Sequence, residues 1–561
     1  MAARKNQREL CILLLDAGAS LHVVDEEGNT PLHLATLFNQ PEITDLLLSR
    51  GAAVNAVNNR LSALHIAAEK GHRELCILLL DAGASLDVVD EKGNTPLHAA
   101  TYFNHPEITD LLLLRGAAVN AVNNNRHSAL HMAAWKNQRE LCILLLDAGA
   151  SLNVVDEKKN TPLHVATLFN LPEITDLLLS RSAAVNAVNN NSYSALHIAA
   201  GKGHRELCIL LLDAGASLDV VDEEGNTPLH LASFFNQPEI TDLLLSRGAA
   251  VNNIRHNPLH VAAIKGHREV CTLLLDAGAS LHVVDEEGNT PLHAATYFIQ
   301  PEITDLLLSR GAAVNAVNNN KLSALHIAAG IGHRELCILL LDADASLDVV
   351  DQKGNTPLHA ATYFNQPKIT DLLLSRGATV NAVNNNRYSA LHIAAAKGHR
   401  ELCILLLDAD ASLDVVDEEG NTPLLLASFF NQPEITNLLL WRGAAINAVN
   451  NNRHSALHMA AGKGHRELCI FLLDAGASLH VISLKGNTPL HFATLFNQPE
   501  ITDLLLSRGA AVNAVNNIRH NALHVTAIKG HREICTLLLD AGASLHVVDE
   551  EGNTPLHLAS F

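Results

Sequence analysis

The sequence predicts an all-α solenoid, and three observations predict it. Seventeen copies of the tetrapeptide T-P-L-H, or a close variant, recur along the 561 residues, from Thr30 and Ser62 to Asn521 and Thr554. The step is 33 residues everywhere except Thr30 to Ser62 (32) and Thr227 to Asn257 (30). Each period carries two short apolar patterns of helical spacing. The composition is 48% hydrophobic but only 4% aromatic, which suits Leu/Ala-rich helices better than an aromatic-rich β fold. A fixed period of this size marks a stacked array in which no unit buries its apolar face alone.

Residues 25–57 show how one unit is built. Asp25 to Gly28 has turn chemistry, with glycine free to take a positive φ. Thr30 is placed to cap a helix and Pro31 to open it, since the missing proline N–H is not needed there. Leu32, Leu34 and Ala35 give this first helix an apolar face, and Asn39 and Gln40 break it. Pro41 opens a second helix carrying Ile43, Leu46, Leu47 and Leu48, and Gly51 ends it as a left-handed residue. On the second helix, Thr109 and Asp110 read as polar outer-face positions. Helices this short need tertiary packing to persist.

The unit resembles the ankyrin repeat, whose hallmarks are T-P-L-H, a G-H between the helices, an L-L-L second helix and a G-A-x-x-N exit. The resemblance covers essentially all of 1–561, which is read as one array: a partial repeat at 1–24, full repeats of about 33 residues over 25–548, and a partial repeat at 549–561. It implies a curved superhelical stack of helix–loop–helix–β-turn units. Two types of unit alternate. Type A follows Ser194 to Asn226, with Gly-His between its helices; type B follows T-P-L-H-x-A-T-x-F-N-Q-P-E-I-T-D-L-L-L-S-R-G. Met1 to Glu9 matches Met132 to Glu140 except for Arg4 against Trp135, and Thr554 to Phe561 stops within a first helix. Neither end carries a polar capping repeat, which fits a piece of a longer chain, fraying ends, or ends covered by something else.

Composition excludes several classes. A net charge of −20 argues against a general nucleic-acid binder, which needs dense Lys and Arg. The start lacks the apolar core of a signal peptide, and no apolar run approaches the roughly 20 residues that span a bilayer, so membrane insertion is not expected. The nine cysteines, such as Cys76 and Cys142, fall one per type A second helix. With helix layers about 8–10 Å apart, neighbouring cysteines are roughly 20 Å distant, too far for a disulfide. Free thiols point to an intracellular, cytoplasmic location.

Histidine is abundant at 32 residues, but position explains most of it. Sixteen end the tetrapeptide, as in His33, His98 and His230, and only Leu425 departs. The resemblance implies that this side chain holds the turn and helix start by local hydrogen bonds. If so, the buried histidines should be neutral and acid should destabilise the array. Seven more lie in G-H-R-E, each four residues before a cysteine, as in His72 and Cys76. Two ligands are too few for a metal site, and Gln7 and Gln138 replace histidine without disturbing the unit, so a structural loop role is expected. The H-x-E of this run lacks the P-C-x-x-C of zinc deaminases. No phosphate-binding, nucleophile-elbow or dinucleotide fingerprint is present, so no enzyme activity, cofactor or metal is expected.

The positions where units differ point to function. Two residues at the end of the first helix vary. Type A units place Glu69-Lys70, Trp135-Lys136, Gly201-Lys202 or Gly330-Ile331 there. Type B units place an apolar or aromatic pair there: Leu37-Phe38, Tyr102-Phe103, Phe234-Phe235, Tyr297-Phe298, Tyr363-Phe364 and Phe429-Phe430. The resemblance implies that these positions and the turn tips face a concave, partner-holding groove. Either the aromatic pairs form an exposed stripe of the kind that marks interfaces, or the second ring tucks under a neighbouring loop as core. Tips alternate between acidic, as in Asp222-Glu223-Glu224-Gly225, and Asn-rich ending in a base, as in Asn123-Asn124-Asn125-Arg126. Such an edge could read a partner of mixed charge or simply be solvated. The resulting expectation is a non-enzymatic scaffold binding protein partners. The alternatives are the binding segment of a larger channel, kinase or ubiquitin-ligase adaptor, or an elastic spacer. Local weak points are expected where Lys159 replaces the tip glycine, where Ser182, Asp344 and Asp410 replace the exit glycine, and where residues are lost before Asn257.

Overall fold

The computed structural model describes residues 7–58, 60–252 and 257–560. Among them are 34 helices, two per repeat, and no strand beyond isolated bridges such as Val57 to Ser62. The site of the residues lost before Asn257 falls at 253–256, outside the described residues. The chain forms two compact units, Met1–Ala262 with His267–Ser280, and Ala263–Gly266 with Leu281–Phe561.

Helix ends follow from the sequence. Thr30 caps Pro31–Leu37, with Pro31 at its first turn, and Asn39 then turns the chain at φ 52°. Pro41–Ser49 closes at Gly51 (φ 89°), where the Ala52 N–H donates to the Leu47 carbonyl and the Gly51 N–H to that of Leu48. The type A first helix Ala63–Lys70 stops instead at left-handed Gly71. Where K-N-Q replaces K-G-H, the helix Ala129–Trp135 ends one residue sooner and Asn137 takes φ 58°. Lys159, Ser182, Asp344 and Asp410 all stand at φ of 58–66°, the strained conformation expected of them.

The core is repeated rather than central. Leu32, Ala35, Ile43, Leu46 and Leu47 are buried in a type B unit, and Leu64, Ala67, Leu75, Cys76 and Leu79 in the next type A unit. Thr109 corrects the sequence reading: it is fully buried, whereas Asp110 is exposed. Thr109 occupies the place that cysteine holds in type A, on the side that packs against the neighbours. Thr436 and Thr502 donate to the carbonyls of Gln432 and Gln498 one turn back, whereas the buried hydroxyl of Thr109, like those of Thr44 and Thr175, has no hydrogen-bond partner among the described residues. The nine cysteines are free, and all but Cys535 are buried. Burial pushes the Cys76 and Cys142 thiols up to about 12, so they stay protonated at neutral pH.

The tetrapeptide histidines clip each repeat to the next. The Thr30 N–H points at His33 Nδ1 (3.2 Å), so Nδ1 accepts, and Nε2 donates to the carbonyl of Leu61 (3.1 Å) in the following repeat. His65 repeats the arrangement with Ser62 and Asn94, and His98 with Thr95 and His127. Both ring nitrogens are satisfied only when the ring is neutral. Burial pushes these histidines below their ordinary value, His131, His458 and His491 to about 4. The G-H-R-E histidines make a different tie: His72 Nδ1 meets the Thr36 carbonyl (3.0 Å) and His465 Nε2 that of Phe429 (3.1 Å), each on the preceding repeat.

Within each unit the second helices pair off. Pro41–Ser49 lies close against Arg73–Asp81, which meets Pro106–Leu114 more loosely; Pro301–Ser309, Arg334–Asp342 and Pro367–Ser375 repeat the alternation. The close junction, from type B to type A, carries an asparagine clamp. Asn120 accepts from the Ser151 N–H (2.7 Å) and donates to the Gly149 carbonyl (3.3 Å). The loose junction, from type A to type B, is crossed by an arginine: Arg115 reaches Asp81 at 2.9 Å, and Arg181, Arg247 and Arg376 reach Asp147, Asp213 and Asp342 likewise.

Candidate interaction surface

First helices in the type B repeats have seven residues, so their C-terminal ends lie about 10 Å along the axis from the turn tips. Five of them end in an aromatic pair, and Leu37-Phe38, Leu168-Phe169 and Leu495-Phe496 place a leucine before the ring; local geometry sets both. Tyr102 closes the helix and Phe103 is its cap residue; Asn104 at φ 63° then turns the chain away and leaves both rings at the rim. The two rings of a pair meet edge to face. Centroids lie 5.1 Å apart for Tyr102–Phe103, 4.9 Å for Phe234–Phe235, 5.3 Å for Tyr297–Phe298, 5.1 Å for Tyr363–Phe364 and 5.0 Å for Phe429–Phe430.

These rings are surface. The second ring of every type B pair, from Phe38 to Phe496, is 37–59% exposed. Tyr102, Phe234, Tyr297 and Tyr363 are exposed too, and Phe429 is half-buried. The second ring nonetheless leans on its neighbour. A Cβ added at Gly201, Gly330 or Gly462 would come within 3.3–3.4 Å of Phe235, Phe364 or Phe496, so the preceding type A helix end supplies a glycine bed for it.

Type A repeats contribute a feature that the variable pairs concealed. Lys136 Nζ sits 4.2 Å from the centre of Tyr102, Lys397 3.8 Å from Tyr363 and Lys463 4.3 Å from Phe429. Each lysine caps the first ring of the repeat before it. The signal was available: lysine recurs at this place in the type A pairs, and Ile331 departs from it. Trp135 joins the row from a type A unit, 6.1 Å from Tyr102 on one side and 6.1 Å from Phe169 on the other.

The charged tip residues belong to the opposite end of the first helix. Arg126, Glu223 and Glu224 are all exposed. Arg126 occupies a left-handed position (φ 59°), and Glu224 accepts from the Asn226 side chain (3.3 Å). Neighbouring tips are laced by asparagine: the Asn124 N–H donates to the Lys92 carbonyl (2.9 Å) and its side chain to that of Glu91 (3.0 Å). The tips are thus held in place but stand apart from the rings. No group of three or more His, Cys, Asp or Glu suited to a metal occurs among the described residues, and no helix there is long and apolar enough to cross a membrane.

Comparison with known proteins agrees with this architecture. The family model for ankyrin repeats (3 copies) matches in overlapping stretches from 1–90 and 64–156 through 424–516 and 509–561. Human ankyrin repeat and KH domain-containing protein 1 is 41% identical over 99 residues, 17% of this chain and 4% of that protein. The mouse B-cell lymphoma 3 protein homolog is 41% identical over 91 residues, 15% of this chain and 20% of that protein. Human ankyrin repeat and SOCS box protein 3 is 32% identical over 101 residues, 17% and 20% respectively. The matched stretches therefore span at most a fifth of these relatives.

Proposed function

Since this chain belongs to the ankyrin-repeat family, whose members are in general protein–protein interaction modules, we propose that it is a non-enzymatic scaffold. It binds protein partners along the row of first-helix ends. The observation that carries this reading is the row itself: an exposed phenylalanine from Phe38 to Phe496, preceded by a second ring in five type B repeats and by Leu37, Leu168 or Leu495 in three more, with lysines from the type A repeats over several of the rings. Aromatic and cationic side chains held rigid at a surface are the groups that dominate interface energy. Arg126, Glu223 and Glu224 at the tips supply a rim of mixed charge.

A second reading is supported by the relatives, whose names join ankyrin repeats to a KH domain or a SOCS box and whose lengths far exceed the matched stretch. In it, this array is the binding segment of a larger assembly. Free thiols throughout support a reducing, intracellular setting for either.

The test is affinity capture with crosslinking from the native cell, using the chain and a variant with Tyr297, Phe298, Tyr363, Phe364, Phe429 and Phe430 changed to alanine. Proteins captured by the chain and lost by the variant, at a melting temperature within a few degrees of the parent, support the row as the interface. Unaltered capture removes that assignment, and unfolding of the variant shows the rings to be core.

A further inference from the structure

One second helix differs from its copies on the side away from the aromatic row. The helix Pro433–Trp441 ends in tryptophan where six of the other type B copies have serine and one has Leu114. It carries Asn437 where all seven others have aspartate. The serines are not idle: Ser375 Oγ donates to the Leu372 carbonyl (2.7 Å), and Ser507 to Leu504 (2.7 Å). Trp441 gives up that bond and leaves its indole 77% exposed.

Both departures line one groove of about 460 Å³ between Pro433–Trp441 and the preceding Arg400–Asp408. Its apolar lining is Ile404, Leu438 and Trp441, with Arg400 and Glu434 also at its walls. Leu438 is only half-buried here, whereas its counterparts Leu372 and Leu504 are buried. The indole is braced. Arg442 lies over it, 5.4 Å from the ring centre, while holding Asp408 at 2.6 Å. Arg442 is 25% exposed against 37–40% for its counterparts, because the indole shields it. Arg400 is exposed and holds no carboxylate at ion-pair distance among the described residues. The change of aspartate to Asn437 removes one negative charge that every other copy presents here, leaving Glu434 at the wall and Asp408 held by Arg442.

We propose that this groove is a second docking site, taking a polypeptide segment with a large aliphatic side chain beside a carboxylate. The aliphatic group fits over Trp441, Leu438 and Ile404; the carboxylate pairs with Arg400 where Asn437 no longer repels it. Tryptophan and arginine are among the residues enriched at binding hot spots, and loss of a like charge favours an acidic partner over a basic one. The Leu114 copy, which keeps Asp110, provides the internal control.

The test uses the full chain carrying Trp135→Phe, so that Trp441 is its single tryptophan. The probes are labelled twelve-residue peptides with a central Asp-Leu-Leu-Asp, Asn-Leu-Leu-Asn, Lys-Leu-Leu-Lys or Asp-Ser-Ser-Asp. The expected result is a saturable blue shift of the Trp441 emission with the first peptide, at least fivefold weaker binding of the second, and none of the others. Anisotropy should show Arg400→Gln and Asn437→Asp each weakening the first peptide at least fivefold and Trp441→Ser abolishing binding, with melting temperatures unchanged. Serine is the residue of the sister copies, so that variant folds. No saturable shift, equal binding of the lysine peptide, or indifference to Arg400→Gln overturns the proposal. So does an equal, Arg400-dependent response to indole-3-acetate alone, which marks a small-molecule site instead.

Discussion

The two kinds of junction between neighbouring second helices are made from almost the same sequence yet held by different forces. Going from type B to type A, the helices lie close and an asparagine clamps the exits through short-range hydrogen bonds, as Asn120 does to Ser151 and Gly149. Going from type A to type B, the helices stand further apart and an arginine spans the gap, as Arg115 does to Asp81. That ion pair is solvent-exposed on both sides, and such pairs contribute about 0–1 kcal/mol and weaken with salt. The mechanical unit is therefore a pair of repeats with a firm inner seam and a softer outer one. Two places depart from this: the Pro433–Trp441 helix opens a type B to type A junction but packs loosely on Arg466–Asp474, and Arg139–Asp147 lies nearly as close to Pro172–Ser180 as to Pro106–Leu114.

The strongest challenge to this contrast is acid, because the histidine clips serve both seams. His33 crosses a type B to type A junction and His65 a type A to type B junction. Their folded values lie below the unfolded value of about 6.5, so the unfolded chain binds more protons. Stability is then complete above about pH 6.5 and falls as pH drops through that value towards the folded one, about 4 for His131 and His458. The slope approaches roughly 1.4 kcal/mol per pH unit for each clip. A series of urea midpoints from about pH 7.5 to about pH 5 should fall steadily. A flat series would mean that the clips do not hold neutral rings.

Smaller changes separate the seams. Asn120→Ala should cost about 0.5–1.5 kcal/mol and do so equally in dilute and concentrated salt, since it removes two uncharged hydrogen bonds at an exposed seam. Arg115→Gln should cost at most about 1 kcal/mol, and the loss should vanish in about 1 M sodium chloride. Urea midpoints at two salt concentrations check both; salt dependence of the asparagine variant would erase the distinction. Lys159→Gly should stabilise by about 1 kcal/mol through relief of its positive φ, read as slower amide exchange around Asp156 and Asn160. Unchanged exchange there would show the strain to be absorbed locally.

Much of this was legible from residues alone. Thr30 with Pro31, Pro41 and Gly51 mark helix ends that the fold keeps, because caps and breakers act within a few residues of themselves. Thr109 was misplaced because a polar side chain was taken for an outward one. On a helix it lies three residues before Leu112 and so inside the buried arc, and the cysteine at the same place in type A copies carried the clue. The exposure of Phe103 and its kin could not be decided from sequence, since it depends on how far the next repeat reaches across. The unequal seams and the lysines over the rings are tertiary for the same reason: Arg115 and Lys136 act on repeats other than their own. Trp441 was visible as an oddity, but the groove beside it was not.

The alternation of seams has a consequence for heredity. Removing 66 residues from the interior rejoins a type A unit to a type B unit, so every clamp and every arginine still finds its counterpart. Removing 33 sets two units of one type side by side. Two type B units in succession offer the exit asparagine a neighbour with Arg where the type A exit has Ala, and two type A units leave the terminal aspartate facing no arginine. Loss of an even number of repeats therefore keeps every arginine opposite an aspartate, and loss of an odd number does not. The seventeen tetrapeptides keep strict alternation through two irregular steps, so the present chain holds that pairing along its length.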